Sequence, residues 1–190
     1  MLMPINQFII RCSSSPWKFA LLFVGFFSSL QALLFIGEKF KPYAKGAKPF
    51  DLQNSLHSDQ IFMQLANYSD QAFSLYYIFT GIDYFFPLFA GLFLATIWAY
   101  VLRHNLPGWY EYALRRHLFV LLLIPALFDW LENIMLLITI AAFPTELSGA
   151  ADTAVIMKQA KLAATTVAQI TTAVIVIAGI AITIKRKLTG

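Results

Sequence analysis

The residues best suited to chemistry stand in apolar surroundings. The stretch PALFDWLENIMLL, residues 125–137, holds Asp129, Glu132 and Asn133. At helical spacing these three share one face with Leu136. A third carboxyl, Asp83, opens DYFFP, with Pro87 four residues on, and Pro125 stands four residues before Asp129. Two carboxyls three residues apart with a third nearby cannot all ionise in a medium of low dielectric, so shared protons are expected. Such a set has three uses. It can bind a cationic or hydrogen-bond-donating ligand. It can perform acid–base catalysis, one carboxyl serving as acid and its ionised partner as base. It can also link helices through hydrogen bonds.

The elements that must position these groups are read from composition. Of the 190 residues 59% are hydrophobic and 13% charged, whereas a soluble domain is nearer about half apolar and a quarter charged. The apolar excess falls in four blocks, about 19–37, 76–102, 118–143 and 162–184. Roughly 20 residues carry a helix across a hydrocarbon core of about 30 Å, and none of the blocks alternates as a spanning strand would. The expected fold is an all-α integral membrane protein, one domain over 1–190 built as a four-transmembrane-helix bundle. Arg11 and Lys18 ahead of the first block resemble the start of a secretory signal. The run continues through Ile36, which reads as a retained anchor.

Charge sets the orientation. The N-terminal arm, the loop between the second and third blocks and the tail carry Arg11, Lys18, Arg103, Arg115, Arg116, Lys185, Arg186 and Lys187. The two other loops carry Lys39, Lys41, Lys45, Lys48, Lys158 and Lys161, balanced by six acids. This bias places both termini in the cytoplasm of a bacterial inner membrane. The net charge of +4 then faces anionic lipid, and no nucleic-acid partner is needed to explain it. The outer loop 38–75 opens with KFKPYAKGAKPF, whose Pro42, Gly46 and Pro49 disfavour helix, and continues with amphipathic helical spacing over 52–66.

At about 1.5 Å per residue, Asp129 falls near mid-bilayer, with Glu132, Asp83, Gln31 and Gln169 within about 3–8 Å on its outer side. Thr80 shares a face with Asp83, and Thr165, Gln169 and Thr172 form a stripe on the fourth helix. Each helix thus offers a polar side chain to the outer half, while no lysine or arginine lies inside the spans to pair with the acids. Intramembrane acids cost at least about 2.5–3.5 kcal/mol each on insertion scales and mark functional sites by default.

The expected function is therefore an outward-facing acidic pocket that binds or processes a lipid-like or cationic amphiphilic small molecule. Its ligand-binding residues are Gln31, Thr80, Asp83, Asp129, Glu132, Asn133 and Gln169, walled by Phe85, Phe86, Phe89, Phe128 and Trp130. If the site is catalytic as a hydrolase or isomerase, Asp83 and Asp129 form the dyad and Glu132 tunes it. The alternative is an accessory subunit of a larger membrane complex, or a homo-oligomer, with the acids as interhelical glue. A proton or solute path fits less well, because the inner halves offer no polar continuation. The lone Cys12 gives no disulfide or thiol couple, and His57, His104 and His117 fall in loops or at helix edges. No metal site and no cofactor is expected from this set.

Overall fold

The computed structural model describes residues 2–189, and every regular element among them is helical. In chain order these are α1 (Leu2–Ser13), α2 (Pro16–Phe40), α3 (Ser58–Leu65), α4 (Asp70–Asp83), α5 (Phe86–Asn105), α6 (Pro107–Arg115), α7 (Ile124–Ala142) and α8 (Ser148–Thr189). Short 3₁₀ turns occupy Lys41–Ala44, Phe50–Leu52 and Leu118–Leu123. Four stretches are long and apolar enough to cross a membrane: Pro16–Ala44, Asp70–Asn105, Leu118–Ala142 and Ser148–Thr189.

The last of these starts at Ser148, so the expected block 162–184 is only the later part of a longer helix, and the outer loop expected before it is largely helical. Hydropathy locates the apolar part of a helix, but backbone propensity locates its end. Over 150–178 the chain holds no proline or glycine and is rich in alanine, the strongest helix former. Nothing in that run stops the helix, so Lys158 and Lys161 lie inside it.

The second stretch is not continuous. Pro87 has no N–H and its ring collides with the carbonyl four residues back, that of Asp83. Accordingly α4 ends at Asp83, and α5 begins at Phe86 with Pro87 as its second residue. A proline there needs no helical partner for its missing donor. Pro125 plays the same part as the second residue of α7, following the 3₁₀ turn.

The chain divides into two compact units. One comprises the chain up to Phe26, Leu88–Ile124 and the chain from Ala163; the other comprises Phe27–Pro87 and Pro125–Leu162. In the first, Ile9, Ala95, Ala99, Leu102, Phe119 and Leu122 form the buried core. The rings of Phe19, Phe23 and Phe26 gather around Phe93 at centroid distances of 5.0, 5.6 and 6.0 Å. In the second, Phe40, Phe50, Ile61, Leu65, Tyr76, Leu136 and Ile140 are buried together with Ala151 and Ala154 of α8. Tyr76 lies between Phe40 and Phe50, at 6.2 and 5.5 Å. The segment between α2 and α4 therefore contributes to this core. It turns at Lys45 and Gly46, both with positive φ, before reaching Phe50.

Close backbone approach in the first unit depends on Gly91. A Cβ at that position would stand 2.7 Å from the Leu122 carbonyl oxygen and 2.8 Å from Leu123 Cδ2. Gly81 has open space around it. Gly91→Ala should cost about 1–3 kcal/mol through overpacking. Gly81→Ala should be neutral or stabilising by up to about 1 kcal/mol. Thermal unfolding of the purified variants in one detergent compares the two, and equal midpoints would contradict the packing at Gly91.

Candidate functional site

The site lies in the second unit and is built by three helices and the Phe50–Leu52 turn. Along α7, Asp129, Glu132, Asn133, Leu136 and Ile140 form one buried stripe, as spacings of three and four dictate. Along α8, Ala151, Ala154 and Lys158 are buried at the same spacings, and Lys161 follows on the same face. From α4 come Tyr76, Thr80 and Asp83, all buried.

Opposite charges meet across these elements. Lys158 Nζ is 2.8 Å from Glu132 Oε1, and Lys161 Nζ is 2.9 Å from Asp129 Oδ1 and pairs also with Glu132 Oε2. Glu132 is 0% exposed, and both of its oxygens are met by ammonium groups. Lys158 additionally donates to the Phe50 carbonyl at 2.8 Å, tying α8 to the loop turn. Asn133 Nδ2 donates to Asp83 Oδ2 at 3.1 Å and to Asp129 Oδ2 at 3.2 Å. One amide nitrogen thus bridges two carboxyl groups from different helices. Nearby, the Tyr76 hydroxyl donates to Asp51 Oδ2 at 2.9 Å.

The cluster is not balanced. Asp51, Asp83, Asp129 and Glu132 bring four carboxyl groups, against the two ammonium groups of Lys158 and Lys161. Among the described residues neither Asp83 nor Asp51 has an ammonium or guanidinium partner. Two buried acceptors, Asn133 Oδ1 and Asp51 Oδ1, also have no donor. Such a set closes only when protons or another cationic, donating group are added.

The other expected residues divide clearly. Thr80 is buried one turn from Asp83, its hydroxyl donating to the Tyr76 carbonyl at 3.0 Å. Gln31 on α2 and Gln169 on α8 are exposed and outside the cluster. Their rotation about the helix axis turns them outward. Of the expected aromatic wall, Phe85 is exposed, and Phe86, Phe89 and Phe128 are half-buried. Trp130 has a different role: its indole N–H donates at 2.9 Å to the Tyr84 carbonyl, which lies in the gap between α4 and α5. Cys12 is buried, and burial raises its thiol above its ordinary value while Lys18 opposes this, so it packs as a small apolar residue. Among the described residues no group of three His, Cys, Asp or Glu side chains is arranged to hold a metal ion.

Four members of the cluster escaped the sequence reading: Lys158, Lys161, Asp51 and Tyr76. The lysines had a legible signal, since Ala151, Ala154, Lys158 and Lys161 follow helical spacing in a run without breakers. Asp51 and Tyr76 had none, because a loop turn and a helix meet only in three dimensions. The chain matches no protein-family model, no curated protein and no solved structure.

Removing one partner of a buried ion pair strands the other charge, at a cost of about 3–5 kcal/mol. Glu132→Gln should therefore lower unfolding stability by about that amount in mixed micelles. Adding Lys158→Met to Glu132→Gln should cost less than the two single changes summed, because the stranded ammonium is removed with its partner. Additive losses would show that Lys158 and Glu132 do not act as a pair.

Proposed function

We propose that this chain is a membrane-resident binding protein that receives a lipid-like or cationic amphiphilic small molecule at Asp83 and Asp129. The observation that carries this reading is the imbalance of the buried cluster, four carboxyl groups against two ammonium groups. A ligand head with positive charge and N–H donors would balance the charge and satisfy Asn133 Oδ1, which lacks a donor. Access favours the same end. Asp83 and Asp129 each retain 4% exposure, whereas Glu132 and Asn133 have none. Asp83 also ends α4 beside the helix gap, where the chain is not regularly bonded. In this reading Glu132, Lys158 and Lys161 hold the site together, and Asp83, Asp129, Thr80 and Asn133 face the ligand.

The proposed setting is a bacterial inner membrane with both termini cytoplasmic. With Lys158 and Lys161 drawn into the cluster, four of the six outer-loop lysines remain to weigh against eight basic residues on the other side. That sharpens the bias that the positive-inside rule reads.

A second reading is favoured by the ion pairs themselves. Lys158 and Lys161 already answer Glu132 and Asp129, as expected if the cluster only joins helices in an accessory subunit. Native mass spectrometry of wild type and Asp83→Asn from nanodiscs separates the two. The amide introduced by that substitution can still accept from Asn133, so fold and melting temperature should be kept while a bound small molecule present in wild type is lost. If Asp83→Asn loses no molecule that wild type holds and is equally stable, the cluster is a helix connector. Turnover of the retained molecule by wild type, absent in Asp83→Asn, would make the site catalytic.

A further inference from the structure

A second site, of opposite charge, lies in the first unit. The turn joining α1 to α2 and the last turns of α5 enclose a cavity of about 440 Å³, within the range of small-molecule sites of about 300–1,000 Å³. Its apolar wall includes Phe19 and Ile97; its polar end is Ser13, Ser14, Arg103 and His104. Pro16 begins one candidate span and Asn105 ends another, so the polar end sits where hydrocarbon gives way to headgroups.

The polar end has more donors than acceptors. Arg103 donates to Ser14 Oγ at 2.7 Å, to Ser13 Oγ at 2.5 Å and to the Ile10 carbonyl at 3.5 Å. Both serine hydroxyls donate to that same carbonyl at 2.8 Å. Three donors thus converge on one oxygen with two lone pairs. Every acceptor that Arg103 has found is neutral, and among the described residues it makes no ion pair. Its guanidinium lies over the Tyr110 ring, 5.2 Å from the centroid, which holds it in place. None of the residues lining the cavity is acidic.

We propose that this cavity binds the phosphodiester headgroup of an anionic glycerophospholipid. The phosphate oxygens accept from Arg103 and from the hydroxyls of Ser13 and Ser14, and the first acyl carbons lie against Phe19 and Ile97. Arginine suits this role because its fixed fork of N–H groups matches two phosphate oxygens at once. A zwitterionic lipid offers the same phosphate but adds an ammonium group that Arg103 would repel.

The test uses the full-length protein, delipidated in detergent and challenged with equal phosphatidylglycerol and phosphatidylcholine, read by native mass spectrometry. Wild type should retain one phosphatidylglycerol in preference to phosphatidylcholine. Arg103→Gln should weaken that retention by about tenfold or more, the scale of a charge-assisted hydrogen bond. Because Arg103 also braces α1, Ile97→Trp provides a second variant that fills the cavity without touching the charge; it should lose the lipid too. Asp83→Asn should retain it, which keeps this site separate from the acidic one. Equal retention of both lipids by wild type, or full retention by Ile97→Trp, would overturn the proposal. Glycerol 3-phosphate binding as tightly as the lipid would also overturn it, by assigning the cavity to a soluble phosphate.

Discussion

The polar side of the second unit is arranged around a carboxylate shielded from solvent. Glu132 is fully buried on α7, and its two oxygens are met by Lys158 and Lys161 of α8. A buried ion pair seldom adds net stability over a well-packed apolar one. What it penalises is misplacement. Moving α8 by one residue would rotate both ammonium groups away and leave several charges stranded, each desolvated without compensation. Ala151 and Ala154 precede the lysines on the same face and are themselves buried, so small side chains allow the close contact that the charges then fix in register.

The two prolines solve a related problem in the backbone. Pro87 ends one helix at Asp83 and lets another begin at Phe86, and the Trp130 indole N–H satisfies the Tyr84 carbonyl in the gap. A helix gap at membrane depth is tolerated only where its polar groups find protein partners. Trp130 lies one residue past Asp129, so the helix that supplies the acid also supplies the donor that makes the neighbouring gap tolerable.

The sequence carried much of this and omitted a specific part. The four long apolar stretches were legible because length and hydropathy suffice to find them. The shared face of Asp129, Glu132, Asn133 and Leu136 was legible because local spacing determines it. Gln31 and Gln169 misled: depth follows from counting residues, but which way a side chain turns depends on the helix it faces, and both turn outward. Lys158 and Lys161 were hidden by a boundary drawn on hydropathy, since the two lysines themselves lower the average that defines it. Asp51 reaches the cluster through a turn set by Lys45, Gly46 and the docking of Phe50, and no local pattern encodes that contact.

The order of the charges along the chain has a consequence for biogenesis. The acids of α7 leave the ribosome before the lysines of α8. Asp129 and Glu132 each weigh about 2.5–3.5 kcal/mol against insertion when unpaired, and their counter-ions lie beyond the short connection 143–147. For a chain inserted helix by helix, α7 alone would be a poor candidate for the bilayer until α8 stood beside it. The two would then have to enter as one unit, a hairpin whose second arm carries the neutralising charge.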